Sequence, residues 1–235
     1  MISIIIPVHN EASRIKETLS YLINNSSSEN IKEILVVDGE SSDRTKDIVL
    51  ELMDEQPLIR AISSTKGRAI QMNSGARESI GNVLYFLHAD SIPPTGFDAH
   101  ILNEIENGNE AGCFKMKFDH GHWWLRLASW LTHFNWRACR GGDQSLFIKR
   151  TLFYEIGAFN EEFKIFEDQL IVKELYRRNQ FVVIQKWLTT SARLYERVGI
   201  WKLQYHFWTI YVKRWFGASS ENIYRYYNRH ISGSG

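Results

Sequence analysis

The sequence predicts an α/β fold with a doubly wound, mostly parallel sheet, and three patterns carry that expectation. Residues 2–6, 34–37 and 83–87 are short, rich in β-branched and aromatic side chains, and almost continuously apolar, as strands covered on both faces must be. Segments 12–23, 43–53 and 68–79 place apolar residues at helical spacing between or before those runs. Residues 59–63 read as a further edge strand between the second and third helices, completing a repeated strand–helix alternation.

The pattern changes beyond residue 110. An alternating strand is expected over 113–118, an aromatic helix over 123–136 and a strand over 145–148. Helices over 150–156 and 168–178 and a strand over 181–184 follow. Over 201–215, Trp, Tyr, Phe and Ile are interleaved with Lys202, His206, Lys213 and Arg214, which predicts a helix with an unusually aromatic surface. The expected organisation is one domain over 1–190 with a helical extension over 191–231. Residues 232–235, Ser-Gly-Ser-Gly, take no part in the fold argument.

Bulk composition narrows the class. With 44% apolar and 23% charged residues the chain is an ordinary globular one, neither disordered nor fibrous. Lys and Arg total 28 against 27 Asp and Glu, so no global field attracts nucleic acid, and none is expected as a partner. Cys113 and Cys139 have neither zinc nor disulfide spacing and are expected as reduced thiols. The first residues lack a basic n-region and a cleavage site, and no run approaches the ~18 apolar residues of a membrane span. A cytoplasmic protein is therefore expected, with membrane association left to the aromatic extension.

In an open parallel sheet the ligand crevice lies beyond the carboxyl ends of the strands, so the polar residues directly after each strand matter most. Pro7-Val-His-Asn-Glu11, Asp38-Gly-Glu-Ser-Ser-Asp43 and His88-Ala-Asp90 should share it. Asp38 can accept hydrogen bonds from a base or ribose, Gly39 allows a tight turn, and Ser42 reads as a helix cap. Lys66-Gly-Arg68 opens a helix and suits a diphosphate or a merely charged turn. Asp90 can ligate a hard cation or close a turn. Glu167-Asp168 offers a general base for a hydroxyl nucleophile or an N-terminal cap pair, and Gly141-Gly-Asp-Gln144 offers a close backbone approach to substrate or an ordinary turn.

Taken with Ile4-Ile-Ile-Pro-Val-His-Asn-Glu11, Val36-Val-Asp-Gly-Glu-Ser-Ser-Asp43, Lys66-Gly-Arg68, Phe86-Leu-His-Ala-Asp90, Gly141-Gly-Asp-Gln144 and Phe166-Glu-Asp168, the order of motifs resembles that of family-2 glycosyltransferases. The resemblance spans residues 1 to about 190. It implies a GT-A fold, a Rossmann-like, mostly parallel sheet flanked by helices. It further implies an inverting transfer of a sugar from a nucleotide diphosphate sugar to a hydroxyl acceptor. Pro7, Asn10 and Glu11 would border the nucleotide, Asp38 would hold the base or ribose, and Lys66 and Arg68 would lie near the diphosphate or nucleobase. His88 and Ala89 would complete the donor side, and Gly142, Asp143 and Gln144 would face the acceptor. Asp168 corresponds to the family's base, with Glu167 beside it, and Asp90 to the last acid of its Asp-x-Asp metal motif.

His88 stands where the family has the first acid of that motif. The implied cofactor is a divalent metal, Mn²⁺ or Mg²⁺, and an imidazole ligand would favour Mn²⁺. The same substitution motivates a second reading, a noncatalytic nucleotide-sugar-binding protein. A sugar nucleotidyltransferase is disfavoured because His9-Asn-Glu-Ala12 stands where its Gly-rich phosphate loop would be. The aromatic helix could meet lipid headgroups or a lipid-linked acceptor, or pack on the sheet or on a second subunit.

Overall fold

The computed structural model describes residues 1–141, 144–163, 165 and 167–232. The expected alternation forms its first half as β1 (Ile2–Val8), α1 (Ile15–Asn24), β2 (Ile31–Gly39), α2 (Thr45–Glu55), β3 (Ile59–Ser64), α3 (Arg68–Glu78) and β4 (Val83–Phe86). There follow β5 (Ser91–Ile92), α4 (Phe97–Glu106), β6 (Ala111–Phe118), α5 (Trp123–Leu131), β7 (Leu146–Lys149) and α6 (Arg150–Glu155). The chain continues through α7 (Glu167–Arg177), β8 (Phe181–Thr190), α8 (Arg193–Val198), α9 (Ile200–Trp215) and α10 (Ser220–Tyr227).

Among the described residues the strands form one sheet in the order β3-β2-β1-β4-β7-β6-β8-β5. β1, β2, β3 and β4 pair in parallel, as do β6 and β8, while β7 runs antiparallel to both β4 and β6. Alternation along β1 explains why both faces are dry. Ile4 and Ile6 pack with Ile15 and Leu19 of α1 and Phe97 and Ile101 of α4. Ile5, pointing the other way, packs with Ala69 and Met72 of α3 and with residues of α6 and α7. A third apolar cluster gathers Leu125 of α5 with Tyr195, Leu203, Ile210 and Ile223 of α8 to α10.

Departures from expectation have local causes. Helix α1 begins at Ile15 rather than at residue 12 because the N–H groups of Glu11 and Ala12 donate to Thr45 and Asp43 across the crevice. β8 runs to Thr190, well past residue 184. Its register against β6 jumps from Phe114↔Ile184 to Lys115↔Trp187, so a bulge absorbs Gln185 and Lys186 and hides the alternation. α5 stops at Leu131, where the Thr132 hydroxyl donates to the carbonyls of Met116 and Ser129 instead of letting the helix continue to residue 136. β5 and α4 stand where no element was anticipated, while α8 and α10 fall within 191–231, the span expected to be helical.

Candidate active site

Two loops leave the carboxyl ends of β1 and β2 side by side, since Val8 pairs with Asp38. The amide of Gln71 on α3 donates to the carbonyls of Val8 and Val37, 2.8 Å each, and holds those ends together. Gly39 is required there, because a Cβ would lie 2.6 Å from Gln71 Cδ. The loops then bind each other. Asn10 N–H donates to Ser41 Oγ at 2.9 Å and Ser42 N–H to Asn10 Oδ1 at 2.8 Å, while Glu11 N–H donates to Thr45 Oγ1 at 2.8 Å. Asn10 and Glu40 sit in the left-handed region, at φ 58° and 61°. Burial works against the Asp43 carboxylate, but hydrogen bonds from the hydroxyl and backbone of Thr45 and the backbone of Ala12 hold its pKa below the usual range.

Asp38 is half-buried at the end of β2. Its Oδ2 accepts a long hydrogen bond from Ser41 N–H, 3.3 Å, while Oδ1 is buried with no hydrogen-bond partner among the described residues. A buried acceptor left so is costly and suits a ligand donor. His9 joins Gly39 O through Nδ1 and Lys66 Nζ through Nε2, 2.8 Å each, which brings Lys66 over the same loops. Thr18 on α1 donates to the carbonyl of Ala89 at 2.6 Å and so fixes the turn after β4.

One cleft gathers Pro7, Arg68, His88, Arg140, Gln144 and Asp168 on its walls. Arg68 meets the His88 imidazole and pairs with Glu167 at 3.1 Å. Of the two carboxylates opening α7, Asp168 lines the cleft, whereas Glu167 is 2% exposed and held by Arg68. Asp90 stands beside this group rather than on the cleft wall, and its partner is Arg193 at 3.3 Å. The same guanidinium binds both carboxylate oxygens of Glu11, so Arg193 ties the first loop to the turn after β4. Gly142 and Asp143 lie outside the described residues, as does Phe166.

Arg193 and Arg140 were missed by the sequence reading. Arg193 follows the end of β8, and the strand-end rule would have found it had β8 been extended to Thr190. Arg140 is 4% exposed and gives its N–H groups to the carbonyls of Thr132, Phe134 and Trp136, to Gln144 Oε1 and to Cys113 Sγ. Burial pushes the Cys113 thiol pKa up, with Arg140 acting in the opposite direction. Both cysteines are free, as expected.

Among the described residues no group of three His, Cys, Asp or Glu is arranged to hold a metal. Asp90 and His88 offer one oxygen and one nitrogen donor two residues apart, too few by themselves to complete the coordination of a divalent cation. The model of glycosyl transferase family 2 matches residues 3–166. A probable glycosyltransferase, YdaM, of Bacillus subtilis is 34% identical over 122 residues, covering 50% of this chain and 29% of the relative. A dolichol-phosphate mannosyltransferase of Pyrococcus furiosus is 32% identical over 111 residues, covering 46% of this chain and 31% of its own. The chain thus spans less than a third of the length of these curated relatives in its matching part. Among solved structures, S. aureus TarS in complex with UDP-GlcNAc superposes with a TM-score of 0.65 at 20% identity, over 81% of this chain and 58% of that one. The mannosyltransferase PcManGT from Pyrobaculum calidifontis, in complex with GDP-Man and Mn²⁺, gives 0.64 at 20% identity, over 89% and 59%. These likenesses show a shared GT-A fold.

Proposed function

The chain belongs to glycosyl transferase family 2, and from that premise we propose that it transfers a sugar from a nucleotide diphosphate sugar to a hydroxyl acceptor with inversion at the anomeric carbon. The observation that carries the reading is the cleft lined by Asp168, Arg68 and His88, which come from α7, α3 and the turn after β4. Pro7, Asn10 and Glu11 border the nucleotide, and the unsatisfied Oδ1 of Asp38 takes a hydrogen bond from its base or ribose. Lys66 and Arg68 face the diphosphate as cations. Asp90 and His88 would hold a divalent metal, Mn²⁺ in preference to Mg²⁺, with substrate supplying the remaining ligands, and the metal would supply positive charge to offset that of the diphosphate.

Asp168 acts as the base. The acceptor oxygen attacks the anomeric carbon from the face opposite the diphosphate, its proton passes to the Asp168 carboxylate, and the bond from the anomeric carbon to the diphosphate oxygen breaks. Glu167 orients Arg68 from behind rather than touching the acceptor, which follows from its burial and its 3.1 Å ion pair. Gln144, with Gly142 and Asp143, belongs to the acceptor side.

Thermal shift against a panel of nucleotide sugars, with and without Mn²⁺, tests the donor half: one class should raise the melting temperature, more so with metal. No shift from any nucleotide sugar defeats the donor reading. Asp168→Asn should keep that shift yet lose roughly 10²- to 10⁴-fold in transfer, and undiminished turnover removes Asp168 from the role of base. Product configuration read by NMR decides inversion.

A further inference from the structure

Helix α9 is apolar on two faces. Leu203 and Ile210 are fully buried in the third cluster, as its inward stripe should be. On the outward face Trp201, Tyr205, Trp208, Val212 and Trp215 recur at helical spacing and are about half exposed or more, rising to 87% at Trp215. Helix α5 repeats the pattern with Trp123, Leu127 and Trp130 exposed. The two helices are joined by rings: Trp124 lies 5.6 Å from Trp201 and 5.9 Å from Trp208, and its Nε1–H donates to Gln204 at 3.0 Å. The result is one continuous aromatic ridge, and exposed apolar surface of this extent marks an interaction site.

Charge selects the partner. Within α5 and α9 stand Arg126, Lys202, Lys213 and Arg214, and neither helix contains Asp or Glu. We propose that this ridge docks on the surface of a lipid bilayer bearing anionic headgroups. Indole and phenol rings settle at the boundary between headgroups and acyl chains, long basic side chains reach the phosphates, and no carboxylate on the ridge opposes the contact. A second copy of the chain fits less well, because a two-fold interface would set these same-sign faces against each other. No helix among the described residues is long and apolar enough to cross a membrane, so the contact is one of surface docking.

The ridge also reaches the cleft. Trp130 of α5 lies 4.9 Å from Phe134, ring to ring, and the Phe134 carbonyl accepts from Arg140, which lines the cleft wall. Docking would therefore present the acceptor side to the bilayer and favour an acceptor carried in it, a consequence that rests on the transfer proposed above.

Vesicle flotation of the full chain tests the docking. The protein should float with phosphatidylcholine vesicles containing about 30% phosphatidylglycerol, and roughly tenfold less with phosphatidylcholine alone or in high salt. The double variant Trp215→Ser/Phe216→Ser, which removes the ridge's end and the equally exposed ring just after α9, and the variant Lys202→Glu should each lose about tenfold in bound fraction at unchanged melting temperature. Absence of flotation, or equal flotation of all three proteins, overturns the proposal. So does a wild-type dimer, seen by light scattering, that ignores vesicles and dissociates in the same variants. Donor-induced thermal shifts measured on these variants report on the nucleotide-sugar reading separately, so the two can fail independently.

Discussion

Around β1 and β2 the candidate donor loops are held by neighbours: backbone N–H groups of residues 10 to 12 meet side chains of residues 41 to 45, and Gln71 bridges the two strand ends. The wall formed by β6 and β7 is held by packing between distant parts of the chain. There Gly112 of β6 lies so close to β8 and Phe147 that a Cβ would stand 2.3 Å from the Val182 carbonyl oxygen. One side of the cleft thus gets its shape from short polar links, tight only where Gly39 meets the Gln71 side chain, and the other from close contact with backbone and an aromatic ring.

The strongest test of that contrast is Gly112→Ala. The new methyl meets backbone and the Phe147 ring at 2.8 Å, and the expected loss is about 1–3 kcal/mol in urea unfolding. Gly75→Ala on α3 meets the Ile5 and Val37 side chains instead, at 2.5 and 3.0 Å, and replacing a helical glycine returns about 0.5–1 kcal/mol of backbone entropy. Its net loss should be the smaller, and a reversed order breaks the comparison.

A middle-sized effect belongs to Thr45→Val, which removes the acceptor for Glu11 N–H and the hydroxyl bond to Asp43. About 1 kcal/mol should be lost, with donor affinity falling as the loop loosens. Smallest is the surface of α7, where Glu174 pairs with Arg177 and Arg178. Hydrogen bonds from those two arginines lower its pKa to about 2. The folded value lies below the unfolded one, so its contribution is present above the ordinary carboxylate range and disappears as pH falls through about 2. An NMR titration should place the midpoint below the ordinary carboxylate range, and Glu174→Gln should cost the least of these changes at neutral pH because solvent screens the exposed pairs.

The parallel half was legible because its signals are local. Buried strands read as apolar runs, each is followed at once by its polar loop, and that rule alone singles out Asp38, Glu11 and His88 as candidates. The rear was harder to read because its determinants act across long separations. The bulge at Gln185 and Lys186 broke the alternation of β8 and concealed Arg193 at the strand's true end. Arg140 carries no signal of its own in the sequence, since its five acceptors are the carbonyls of Thr132, Phe134 and Trp136 before it, the Gln144 side chain after it and Cys113 of β6. The aromatic helix was visible, but whether its rings faced inward or outward depended on where α5 and α10 packed, which no local pattern contains.

The placement of β7 between β4 and β6 has a cost at birth. β4 is fully buried in the finished molecule, yet its antiparallel neighbour Leu146–Lys149 is made only after α4, β6 and α5 have been synthesised. Until then a nascent chain carries Val83–Phe86 with one open row of amide and carbonyl groups, a template for pairing with any other extended chain nearby. The open row closes only when residues 146–149 leave the exit tunnel and pair with β4.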